Sequence, residues 1–171
     1  MGKYESPEYR VKEKEGAFEI REYQEYYVVK YKENEDPMIS GGFQTLFRYI
    51  SKNNEKEAKI SMTVPVIEKK EEEVYTMAFV LPKEHLHDIP LPKDKRLSIE
   101  KIEEGDYAAI TFSGVSSGKV EKEQEARLKE WISKKGYEVS GETRVAYYNP
   151  PFIPGLFRRN EIWIPVKRSK E

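Results

Sequence analysis

The sequence predicts an α+β domain assembled from a tandem β-β-α-β-β duplication. Period-two alternation marks strands on either side of two helix-period stripes, and the order of these elements repeats. Corresponding landmarks also recur: Phe18 with Ser98, Phe47 with Leu128, Pro65 with Pro150 and Phe79 with Trp163 lie 80 to 85 residues apart. Such a duplication is expected to build one sheet system carrying two helices. The expected organisation is one domain over 1–171, with pseudo-repeats at approximately 17–82 and 97–166.

In the first repeat Phe18 and Ile20 alternate with Glu19 and Arg21, and Tyr27, Val29 and Tyr31 alternate again, giving two strands. A helix follows over Phe43 to Lys52. Phe43, Leu46, Phe47 and Ile50 form one apolar stripe, Ser40 is available as a cap, and Asn53-Asn54 is a stop. Ile60 to Ile67 then carries no charge at all, yet contains Pro65, which cannot donate to a strand ladder. It reads as a strand with a bend or edge at the proline. In Val74 to Leu81 both alternating faces are apolar, the pattern of a strand covered on both sides.

The second repeat opens with strands at Ser98 to Ile102 and Tyr107 to Phe112. A helix runs from after "SGVSSG" to Gly136, with Leu128, Trp131 and Ile132 as its stripe. "TRVAYYNPPF" and "NEIWIPV" supply the last two strands. The proline-punctuated stretch "LPKEHLHDIPLPKDKR" connects the halves, and the residues up to about Gly16 and the tail "KRSKE" read as loosely ordered.

Composition narrows the chemistry. Apolar residues make up 37 % and charged residues 36 %, with a formal net charge of -1, so no global field points to nucleic acid. No apolar run approaches the ~20 residues of a membrane span, and the first residues have no signal-peptide core, which makes the cytoplasm the expected location. The absence of cysteine removes disulfides and thiolate sites. His85 and His87 are the only histidines and sit in the connector without a third ligand, so no metal site is assigned. No nucleophile elbow, P-loop, zinc motif or dinucleotide fingerprint occurs, and no catalytic residue is expected.

Two regions remain as candidate sites. The first helix carries aromatics with Arg48 and Lys52 beside them. It reads either as a core-facing helix edged by solvated cations or as a platform for a flat apolar ligand with acidic groups. In the second region, Glu161 shares a strand face with Trp163, opposite Ile162 and Ile164. A carboxylate there needs an internal Arg or hydroxyl, or a cationic ligand.

The ordered blocks "FQTLFRYISKNN", "KISMTVPV", "FVLP", "AYYNPPF" and "RRNEIW" resemble the SOUL haem-binding family over roughly Tyr9 to Val166. The resemblance implies a distorted, mostly antiparallel β-barrel flanked by two helices, the gyrase-inhibitor-like effector-binding fold. It implies non-enzymatic binding of haem or a related tetrapyrrole, for buffering, transport or sensing, without a strong protein axial ligand. By position, the apolar surface falls to Phe43 and Phe47, and the basic groups near the propionates to Arg48 and Lys167. The alternative is a general effector-binding module holding another hydrophobic small molecule in the cleft between repeats, with Glu161, Trp163 and Tyr147. The expected partner is haem or another porphyrin, with a monomeric chain and neither nucleic acid nor membrane.

Overall fold

The computed structural model of the chain describes residues 4–33, 41–71, 74–149 and 158–170. Ser40 and Pro150, both used in the sequence reading, lie outside them. The strands are β1 (Tyr9–Glu15), β2 (Phe18–Tyr23), β3 (Tyr26–Glu33), β4 (Val66–Glu71), β5 (Val74–Val80), β6 (Leu97–Ile102), β7 (Gly105–Ser113), β8 (Tyr137–Val139), β9 (Arg144–Tyr147) and β10 (Arg159–Arg168). Helix α1 spans Gly42–Ile50 and α2 spans Gly118–Lys134. The fold is α+β, and the named strands pair antiparallel.

The chain divides into two compact units, one of Met1–Pro7 with Glu25–Glu103 and one of Glu8–Gln24 with Glu104–Glu171. In the first unit the strand order is β4-β5-β3-β6. Leu46, Tyr49 and Ile50 of α1 pack there on Val29, Tyr31, Met77, Phe79 and Leu97. In the second unit the order is β1-β2-β7-β10-β9, with β8 paired to the end of β10. There Leu128, Trp131 and Ile132 of α2 pack on Ile20, Ala108, Ile110, Ile162 and Ile164. Strand β5 lies inside its sheet, with Met77 and Phe79 on one face and Ala78 and Val80 on the other all buried.

The units do not coincide with the two runs of sequence. Strand β2 pairs with β7, and β6 pairs with β3. The registers correspond: Tyr23, ending β2, faces Gly105, starting β7, as Ile102, ending β6, faces Tyr26, starting β3.

Three local expectations change. Residues 9–15 form β1 rather than a loose lead. Their charges hid the strand because it is an edge, five of its seven residues exposed to water and its side chains tied by Arg10–Glu22, Lys14–Glu19 and Lys12–Asp106 ion pairs. Strand β10 likewise extends through Lys167 and Arg168 of the tail. The uncharged stretch is strand only from Val66, after a cis Val64–Pro65 bond. Before it, Ile60 N–H donates to Ile50 O, Val64 N–H to Glu5 O, and the Thr63 hydroxyl to Val80 O. The stretch is uncharged because Ile60 and Thr63 are buried while the backbone threads between a helix end and the N-terminal segment.

The α1 stop has a mechanism. The Asn54 amide is buried and donates to the carbonyls of Tyr49 and Ala58, at 2.9 Å each, while its oxygen accepts from Lys56 N–H and Ala58 N–H at 3.2 and 3.1 Å. Helix α2 ends differently, on Gly136 at φ 82, a conformation glycine adopts without strain. Asn54→Ala removes all four of these hydrogen bonds, one of them buried and three part-buried. It is expected to cost about 2 kcal/mol, read as a melting temperature lower by roughly 4–8 °C in calorimetry.

Candidate functional site

Helix α1 turns its stripe further than the sequence spacing suggests. The buried set is Gly42, Thr45, Leu46, Tyr49 and Ile50, so Tyr49 takes the inward place assigned to Phe47. A tyrosine can be fully buried here because its hydroxyl donates to Pro90 O at 2.5 Å, satisfying the polar tip. Phe47 is left 44 % exposed on the outer side with Gln44 and Arg48.

The exposed ring is not loose. Phe47 lies nearly parallel to half-buried Phe43, with centroids 6.4 Å apart and planes 11° apart. Phe43 in turn meets buried Phe79 edge-on at 5.4 Å. A core ring thus fixes the orientation of a surface ring, producing a flat apolar facet. Beside it, the Arg48 guanidinium has only the Thr45 hydroxyl at 3.4 Å and no carboxylate among the described residues. Phe43, Phe47 and Arg48 are therefore together on one helix. Lys167 belongs to the other unit, at the exposed end of β10, where it pairs with Glu138 at 3.3 Å.

The second candidate set separates. Glu161 and Trp163 share the β10 face opposite Ile162 and Ile164, and the indole N–H donates to Glu161 at 2.7 Å. Tyr147, paired with Asn160 across β9 and β10, sends its hydroxyl to Glu121 of α2 at 2.8 Å. Side chains alternate along the chain, so the phenol that reaches Glu161 is that of the next residue, Tyr148, at 3.3 Å.

Glu161 is fully buried, and its acceptor capacity is taken by the protein itself. Arg21 donates to both oxygens at 2.8 and 3.0 Å, Arg159 donates twice to Oε2 at 3.1 and 2.7 Å, and the Thr111 hydroxyl donates at 3.0 Å. Arg21, 1 % exposed, also donates to Glu19 and to the Tyr23 hydroxyl, and lies under the Tyr9 ring at 4.4 Å. Tyr23 packs against Trp163 at 5.0 Å and edge-on against Tyr107 at 5.5 Å. Arg21 and Tyr148 were not singled out from sequence, since Arg21 sits at the polar position of an alternating strand. The available signal was Glu161 itself, which demanded a cation, but naming that cation requires the register across β7.

Burial alone would raise the Glu161 carboxyl, but hydrogen bonds and charge from Arg21, with Trp163 and Arg159, pull it down to about 2. Burial pushes the Tyr23 and Tyr148 phenols far above their ordinary range, so both stay neutral. Near neutral pH the carboxylate is thus ionised and its acceptor positions are filled by internal donors, leaving none for a ligand. Among the described residues no group of three His, Asp or Glu converges to hold a metal, and no helix is long and apolar enough to cross a membrane.

The Glu161 depression stabilises the fold above the ordinary carboxylate range, and that contribution is lost as pH falls from about 4.5 towards 2. Glu161→Gln is expected to cost about 3 kcal/mol or more at pH 7, because it also leaves Arg21 buried without its main counter-charge. Denaturant melts at several pH values should show the gap between the two proteins narrowing below pH 4. An equal gap at pH 7 and pH 2.5 would contradict the linkage.

Comparison with known proteins gives a consistent frame. The family model described as SOUL heme-binding protein matches residues 4–165. "Heme-binding protein 2" of Mus musculus is 32 % identical over 142 residues, covering 78 % of this chain and 69 % of that protein. "Heme-binding protein 1" of Xenopus tropicalis is 28 % identical over 165 residues, covering 88 % and 85 %. Among solved structures, the EcmrR C-terminal domain superposes with a TM-score of 0.68 at 12 % identity over 94 % of this chain and 99 % of that one. A hydrolase from Listeria innocua gives a TM-score of 0.63 at 14 % identity over 88 % and 91 %. At such identities these two structures speak for the shared α+β fold alone. The family model and the relatives go further: the chain belongs to the SOUL heme-binding protein family.

Proposed function

We propose that the chain is a non-enzymatic tetrapyrrole-binding protein whose ligand lies on the outer face of α1. The observation that carries this reading is the exposed Phe47 ring, held parallel to Phe43 by the core and placed beside an Arg48 without a carboxylate. A haem supplies a flat apolar ring with carboxylates on one edge, which is the complement of such a facet. Burying about 300 Å² of apolar surface at ~25 cal/mol per Å² yields roughly 7 kcal/mol before ordering costs. A micromolar Kd corresponds to about 8 kcal/mol net, so charge pairing at Arg48 has to add to the apolar contact and offset the ordering cost. The exposed α1 side chains Gln44, Phe47 and Arg48 include none of the usual axial ligands. The names of the relatives support haem as the ligand class.

The alternative of an effector cleft at Glu161, or of Glu161 as a hydrolytic base, draws no support from a carboxylate already saturated by internal donors.

Haemin titration followed at the Soret band is expected to saturate in the micromolar range, with metal-free protoporphyrin IX binding within about threefold of it. Phe47→Asp and Arg48→Glu each alter an exposed side chain and should leave the melting temperature within about 2 °C. Each should weaken binding at least tenfold. Unchanged affinity in both variants, or no saturation by tens of micromolar haemin, would sink the proposal.

A further inference from the structure

The β5–β6 connector, read from sequence as a simple linker, runs beside the ligand helix and is bound to its end. The Tyr49 hydroxyl holds Pro90 O, Glu55 N–H donates to Leu91 O at 2.8 Å, and Asn54 forms a β-bridge with Pro92. Beyond these anchors the connector carries Lys93, Asp94, Lys95 and Arg96 before β6 begins at Leu97.

Charge accounting in this unit is uneven. Lys30 pairs with Glu100, Lys56 with Asp88, and Lys101 with Glu25 and Glu103. Asp94 is taken by Arg96, which donates to both of its oxygens at 2.8 and 3.0 Å. Arg48, Lys93 and Lys95 are exposed and have no carboxylate partner among the described residues, as is also true of Lys32, Lys52 and Lys59. Arg48 directly precedes Tyr49, whose hydroxyl holds Pro90 O three residues before Lys93. The Asp94 carboxyl is held down chiefly by its Arg96 hydrogen bonds, and the Arg48 charge contributes as well. Lys52 and Lys59 lie in the turn after α1 with the exposed acids Glu55 and Glu57, and Glu55 is itself joined to the connector at Leu91 O. Of the connector's acids, Asp88 and Asp94 are taken by Lys56 and Arg96, and Glu84 lies 3.5 Å from His85.

We propose that Lys93 and Lys95 of the connector, with Arg48, form the anionic-edge subsite of the ligand surface. This subsite makes the protein selective for tetrapyrroles with free carboxylates. The proposal rests on the tetrapyrrole reading and assigns the second carboxylate to the connector instead of Lys167, which already has Glu138. Exposed cations of this kind act as a steering field as well as contacts, so their contribution falls with ionic strength.

The test is fluorescence titration of protoporphyrin IX and of its dimethyl ester into the full chain, at low and high salt. A Lys93→Glu/Lys95→Glu variant should weaken the free acid at least fivefold and remove most of the salt dependence. Its affinity for the ester should stay within twofold, which separates loss of charge from damage to the fold. Lys167→Glu should change neither ligand by more than twofold. The inference falls if the double variant binds the free acid normally, if both ligands weaken equally, or if Lys167→Glu has the larger effect. Failure of the unmodified chain to bind protoporphyrin IX at all would instead remove the underlying tetrapyrrole reading.

Discussion

The second unit is organised around one buried ion pair, Arg21 with Glu161. The two residues stand on β2 and β10, with β7 between them contributing the Thr111 hydroxyl. Withdrawing a guanidinium and a carboxylate from water is costly unless every remaining donor and acceptor finds a partner. Here Glu19, Tyr23, Tyr148, Arg159 and Trp163 supply those partners. A slip of β2 by one residue would put Arg21 on the α2 side of its sheet, among isoleucines. The pair therefore selects one register for the strands that carry it, a specificity apolar residues alone enforce less sharply.

That same completeness directs attention to α1. One region of this chain uses its polar groups on itself, while the α1 region leaves aromatic area and positive charge unused at the surface. Burial and conspicuous chemistry drew the eye to Glu161. The unspent groups are the ordinary ones, an exposed phenylalanine and an arginine with only a hydroxyl for company.

Where local pattern suffices, the sequence was legible. Alternation located β2, β3, β5, β7 and β10, and spacing located both helices. The motif blocks pointed to the family, and Leu46, Tyr49, Phe79, Ala146, Ile162 and Trp163 within them are buried. Reading failed where the deciding partner is remote. Charged β1 is a strand because β2 offers it an edge, and Tyr49 turns inward because Pro90 O receives its hydroxyl. Tyr147 and Tyr148 cannot be told apart by composition, and only the β9–β10 register says which of them meets Glu161. The candidate site was half legible for the same reason. Its helix was evident, but which of its aromatics faces water depended on a connector forty residues away.

The exchange of strands between sequence halves bears on how the chain matures. Strand β2 is synthesised early, yet its inner edge stays unpaired until β7 follows, more than eighty residues later. Strand β6 pays the same kind of wait in reverse, finding β3 already made. The first unit can thus close once about a hundred residues have emerged, while the hairpin of β1 and β2 remains an open edge attached to it. During that interval Arg21 has no Glu161, and the charges along β1 and β2 keep the waiting hairpin in water and away from other chains. The lysines and glutamates that obscured β1 in the sequence therefore act as its solubilising guard while the molecule is still incomplete.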